Sequence, residues 1–148
     1  MKKPGSNSDF LCDRDKELHG AFMHLLRTRS DLSLREMFAE AARQPASRFW
    51  VSTYRAAIVV AQMLRGLQPA NMIPKKMEMY AEITRRVILK LEKNPNQPLV
   101  RAVTEVVESP APEFYLTPES SRVIIYRIRR RRKQASGLFS SSTAATTI

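Results

Sequence analysis

The chain has 148 residues, 43% of them hydrophobic, enough for one substantial core or two small ones and too many for a disordered chain. Lys and Arg outnumber Asp and Glu by 25 to 14, a formal net charge of +11, so the field of the protein favours polyanionic partners. The lone cysteine, Cys12, excludes an internal disulfide and a cysteine-based zinc framework, and the most apolar run, residues 56–61, is far too short to cross a bilayer. The expectation is a soluble, intracellular, cytoplasmic protein with no membrane partner.

In chain order, Leu18, Phe22, Leu25 and Leu26 are spaced to share one face of a first helix, with Asp9 or Asp13 as its cap. Ser33 then precedes LREMFAEAARQ with Glu36 three positions on, the pattern of a capping box, and this second, short helix must end before Pro45. The stretch QPASRFWVST, residues 44–53, follows as an extended, aromatic loop. Ser52 caps a third helix, TYRAAIVVAQMLRG, which stops at Gly66. A long helix comes next in IPKKMEMYAEITRRVILKLEKN, with Met77, Tyr80, Ala81, Thr84, Val87, Ile88 and Leu91 on the predicted buried stripe, and NPNQP closes it. Thr117, Pro118 and Glu119 supply a cap, a first-turn proline and an early acidic residue for the last helix. After Gln134 the Ser-, Thr- and Ala-rich residues lose periodicity, so 134–148 reads as a flexible tail.

The loop is written twice. SPAPEFYLTP, residues 109–118, stands sixty-five positions after QPASRFWVST, aligning Pro45 with Pro110, Ala46 with Ala111, Phe49 with Phe114 and Trp50 with Tyr115. Leu34 meets Leu99 and Glu40 meets Glu105 at the same offset. The expected fold is all-α, two tandem three-helix units from an internal duplication, residues 1–68 and 69–133, which superpose on each other. Phe49, Trp50, Phe114 and Tyr115 are read as a structural loop that plugs the gap between the second and third helices of each unit, since nothing polar is placed around the rings to orient a ligand.

Signals for catalysis are missing. His19 and His24, five apart, turn to different sides of a helix and are expected at the surface or its boundary, not on a metal. Gly5, Gly20, Gly66 and Gly137 form no phosphate cradle, and Asp13, Asp15 and Glu17 suit the start of a helix without any chemical role. The expectation is a protein with no catalytic residue, metal, cofactor or small-molecule substrate.

Nucleic acid is the expected partner, DNA before RNA. Three helices, the last two joined by a turn, resemble the helix-turn-helix architecture, although the turn from Gln44 to Val51 is longer and lacks the usual glycine. That resemblance implies that the third helix presents Arg55, Gln62 and Arg65 to a groove, with Arg48 beside the loop. In the second copy Arg127, Arg129, Arg130, Arg131, Arg132 and Lys133 form a basic end suited to phosphates without sequence choice. The function expected is a small DNA-binding regulator or accessory factor. The alternative is a structural component of a nucleoprotein assembly, virion or ribonucleoprotein, with protein partners on its helical faces.

Overall fold

The computed structural model describes residues 7–147, with side-chain placements for residues 10–135. The protein is all-α, with helices α1 (Asn7–Thr28), α2 (Leu34–Arg43), α3 (Thr53–Leu64), α4 (Pro74–Lys93), α5 (Leu99–Val107) and α6 (Pro118–Thr147). No strand occurs among the described residues.

Local chemistry sets most of the helix ends. Ser33 Oγ accepts from the Glu36 N–H at 3.2 Å while the Glu36 carboxylate accepts from the Ser33 N–H at 3.1 Å, the reciprocal capping box. Ser52 Oγ accepts from the Arg55 N–H, and Thr117 Oγ1 from the Ser120 N–H, each at 3.1 Å. Gly66, at φ +81°, takes the left-handed conformation that ends α3.

Three local expectations are corrected. Neither Asp9 nor Asp13 is a cap, because α1 already starts at Asn7. Its first turns are held by packing, with the Phe10 ring edge-on to Trp50 at 5.1 Å between centroids. On α4 the buried stripe is rotated to Met79, Tyr80, Ile83, Thr84 and Val87, leaving Ala81 and Ile88 exposed, because α3 and α5 both pack on the face that carries Met79 and Ile83. Beyond Lys133 the backbone stays helical to Thr147 where a tail is expected. That segment contains no proline, and extending an existing helix costs far less than starting one.

The helices pack in two groups, α1 with α2 and α6, and α3 with α4 and α5. Packing therefore crosses the boundary between residues 68 and 69. The helix-turn-helix resemblance has α3 resting on α1 and α2, but that place is taken by α6. The physical reason lies in the two aromatic loops, which bond to each other and carry the chain across. Ala46 and Ala111 exchange both backbone hydrogen bonds, at 3.0 and 2.9 Å, as an isolated antiparallel bridge. The Phe49 N–H donates to the Val107 carbonyl and the Phe114 N–H to the Ala42 carbonyl, both at 2.9 Å. At an offset of sixty-five positions Ala46 answers to Ala111, Phe49 to Phe114 and Ala42 to Val107, so the bonds of one loop repeat those of the other.

One hydrophobic cluster runs through both groups. Phe22 stacks on Phe38 at 5.1 Å beneath α6, and Val59, Val60, Ile83, Val87, Val103 and Val106 fill the other group. Phe49 and Phe114 are buried at the crossing, with Phe49 stacked on Tyr115 at 6.1 Å.

Candidate nucleic-acid interface

Helix α6 is anchored along one face and carries a cationic run beyond the anchor. Ile124, Ile125 and Ile128 enter the core, and the buried Ser121 hydroxyl donates to the Phe38 carbonyl at 2.8 Å. Beyond this anchor Arg129, Arg130, Arg131, Arg132 and Lys133 are all exposed. The α6 arginines in ion pairs among the described residues are Arg122, with Glu119, and Arg127, with Asp15. The positive end thus remains uncompensated among the described residues. Its field is felt inside the protein. Burial, then the charges of Arg132 and Arg129, lower the pKa of His19, which is 3% exposed, with no hydrogen-bond partner for Nε2. The surface or boundary position expected of His19 is therefore corrected, while His24 is exposed. His19 follows Leu18 on the face that α6 covers.

Arg127 has a structural partner. Asp15, nearly buried, accepts from Arg127 Nη2 at 3.1 Å and from Arg14 Nη2 at 2.9 Å. Arg48 is also held internally. Its guanidinium lies 4.8 Å from the Phe10 ring centroid and 5.5 Å from that of Trp50, and it donates to the Phe49 and Val51 carbonyls at 3.2 and 3.3 Å. Desolvation lowers its pKa, the mark of a cation serving the fold.

In the first copy, Arg55 and Arg65 are exposed at the two ends of α3 and Gln62 is half-buried between them. The structure brings Arg55 to α4, where the Tyr80 hydroxyl has its pKa raised by burial against the lowering effect of the Arg55 charge. Arg55, Lys76, Arg14, Trp50, Phe10 and Tyr80 line one cleft of 420 Å³ between the starts of α1 and α4. Sequence reasoning missed Lys76, Arg14, Phe10 and Tyr80 as a group, and no linear pattern could have supplied them, since they come from separate elements. The region around the second aromatic loop holds paired charges, Lys75 with Glu78 and Glu113, and Arg85 and Arg86 with Glu82. Around Tyr115 stand Glu82, Glu113 and Glu78, and burial together with the Glu82 and Glu113 charges pushes its hydroxyl pKa up to about 12.

Among the described residues no group of three or more His, Cys, Asp or Glu could hold a metal ion, and no helix is long and apolar enough to cross a membrane. No protein-family model, curated protein or solved structure matches the chain.

Proposed function

We propose that the protein is a non-enzymatic nucleic-acid-binding protein, a small DNA-binding regulator or accessory factor built from a duplicated three-helix unit whose third helices are exchanged. The observation that carries the reading is the exposed run Arg129–Lys133, without an ionic partner among the described residues and projecting from a helix locked into the core. A cationic row of this kind gains free energy by releasing counterions from a phosphate backbone. The duplication is supported by the loop hydrogen bonds, which map onto each other under the sixty-five-residue offset. In this reading Arg129–Lys133 hold phosphates, Arg55, Gln62 and Arg65 contribute from α3, and Arg48 and Arg127 support the fold that presents them.

The test is fluorescence anisotropy of labelled duplexes over a range of salt. Replacing Arg129–Arg132 by glutamine weakens binding to all duplexes alike and lowers the slope of log K against log salt by about 0.9 for each phosphate no longer neutralised. An unchanged affinity and slope would overturn the reading. Arg55→Ala, assayed against a selected site and random duplex, costs about 1–3 kcal/mol on the selected site alone if the side chain reads a base edge.

A second reading, a structural component of a nucleoprotein assembly, is favoured by the apolar residues beside the cationic helix. Leu34 and Tyr126, which line a groove between α2 and α6, are 47% and 40% exposed, and Val123 on α6 is 48% exposed. Such residues suit a protein neighbour. Equal affinity for selected and random duplexes, with recovery in a defined particle, supports the assembly component over the regulator.

A further inference from the structure

We propose that the cleft between α1 and α4 is a binding site for a nucleotide, seating its phosphate on Arg55 and Lys76 and its base against the rings of Trp50 and Phe10. Five observations converge on it. The cleft measures 420 Å³, inside the range of about 300–1,000 Å³ usual for small-ligand sites. A second cavity of 190 Å³ shares Arg55, Lys76 and Tyr80 with it, so these side chains stand where the two spaces meet. Among the described lining residues of both cavities none is acidic. Arg55 and Lys76 are exposed and have no ion-pair partner among the described residues, whereas Arg14 is tied to Asp15. The Trp50 indole N–H is buried without an acceptor among the described residues.

These features select among anions. Two free cations suit a phosphate monoester, and charge-assisted hydrogen bonds give it most of its affinity. Inorganic phosphate makes no use of the rings, whereas a base stacked on an aromatic side chain gains about 1–3 kcal/mol. Near Tyr115, which answers to Trp50 in the repeated loop, Lys75, Arg85 and Arg86 are already ion-paired with Glu78, Glu113 and Glu82, so those three cations are not free for the same ligand. Position adds a connection to the basic helix, because Asp15 links Arg14 in the cleft wall to Arg127 on α6. The nucleotide chemistry is shared by a free mononucleotide and by the 5′-phosphorylated end of a single strand. The proposal deepens the nucleic-acid reading and rests on it for the choice of ligand.

Trp50, the one tryptophan of the chain, provides the readout. The full-length protein is titrated with AMP, with inorganic phosphate, with phosphotyrosine and with short oligothymidylate carrying a 5′-phosphate or a 5′-hydroxyl, following Trp50 fluorescence. AMP or the 5′-phosphorylated strand is expected to change the emission saturably. Lys76→Gln or Arg55→Gln should weaken that binding at least about tenfold, as expected when a charge-assisted hydrogen bond is removed. Tighter binding of the phosphorylated strand than of AMP supports the site as a strand-end pocket, and the reverse supports it as a free-nucleotide pocket. Absence of a saturable change up to about 10 mM AMP or of either strand would overturn the proposal. Equal affinity for AMP and inorganic phosphate, tighter binding of phosphotyrosine, or unchanged affinity in both folded variants would also overturn it. The Arg129–Arg132→Gln variant separates the two readings, since it should lose duplex binding and keep the AMP response. Duplex binding that survives in a protein blind to AMP removes the cleft proposal alone.

Discussion

Phe49→Ala removes a ring that is 1% exposed, stacked on Tyr115 and covered by the Arg86 guanidinium at 5.0 Å from its centroid. Truncating a buried phenylalanine costs about 3–5 kcal/mol, the lost transfer free energy plus the cavity left behind. Two features place Phe49 in the upper part of that range. The ring pair adds about 0.5–1.5 kcal/mol beyond area burial. The backbone on both sides is also pinned, by the Ala46–Ala111 bridge and by the Phe49 N–H bond to Val107, so the site is poorly able to collapse. The expected loss is about 4–5 kcal/mol for Phe49→Ala. Phe114 is 4% exposed and stacks on no other ring among the described residues, so Phe114→Ala should cost about 3 kcal/mol. At about 2–4 °C per kcal/mol for a chain of this size, the Tm falls by roughly 8–20 °C and 6–12 °C. Urea unfolding followed by far-UV circular dichroism gives both numbers directly. A cost below about 1 kcal/mol for Phe49→Ala, or a larger cost for Phe114→Ala, would refute the packing argument.

Three further outcomes are expected. Because burial, aided by Arg132 and Arg129, depresses the His19 pKa, the unfolded chain binds a proton before the folded one. Stability is then full above the ordinary histidine value of 6.5 and is lost as pH falls below it, and His19→Gln should remove that part of the slope in denaturant titrations. An unchanged slope in the variant would assign it to other groups. Hydrogen bonds from Arg85 and Arg86 hold the Glu82 pKa at about 2, below its ordinary 4.5, so its contribution is present above 4.5 and lost as pH drops toward 2. Glu82→Gln should flatten stability in that lower window and leave the His19 window intact. Finally, Ala46→Cys with Ala111→Cys, in a Cys12→Ser background, should oxidise to an intramolecular disulfide visible as a faster band on a non-reducing gel. Hydrogen-bonded antiparallel partners lie about 5.5 Å apart at Cα, within disulfide reach. Failure of the folded protein to cross-link would place the two loops apart.

The legible parts of the fold were those decided within a few residues. Ser33 with Glu36, Ser52, Thr117 with Pro118, and Gly66 each act on backbone groups in their own turn, so the starts and stops could be read along the chain. The charges were legible in number and not in use. Arg127 finds Asp15 across 112 positions of sequence, and Arg48 turns onto two rings, so neither partner shows in a local window. The burial of His19 was hidden although it lies beside Leu18 on the apolar face, because a histidine among charged residues has the composition of a surface position. The exposed run Arg129–Lys133 needed no tertiary information, since without an acidic residue in the run it has no close sequence neighbour to neutralise it.

Which third helix rests on which pair was not legible, and the repeat itself hides the answer. If the two copies descend from one unit, a third helix finds equivalent apolar positions on its own copy and on the other: Phe38 answers to Val103, Ala42 to Val107, and Val59 and Val60 to Ile124 and Ile125. Side-chain burial then differs little between the direct and the exchanged arrangements, and the choice passes to the connections. Pro45 and Pro110 end the preceding helices and keep the backbone extended, which exposes the N–H and carbonyl groups of Ala46 and Ala111 just where the loops can meet. Buried backbone groups left unpaired cost free energy, and crossing the loops pairs them. Crossing also sets the two sides of the molecule under different fields, because Arg48 in one loop is matched by Glu113 in the other. At equivalent places Phe10 stands under the Arg48 guanidinium, whereas Lys75 pairs with Glu113 at 3.0 Å. The two loops therefore stand among differently used charges: Lys75, Arg85 and Arg86 near Tyr115 are ion-paired, whereas Arg55 and Lys76 near Trp50 have no ion-pair partner among the described residues.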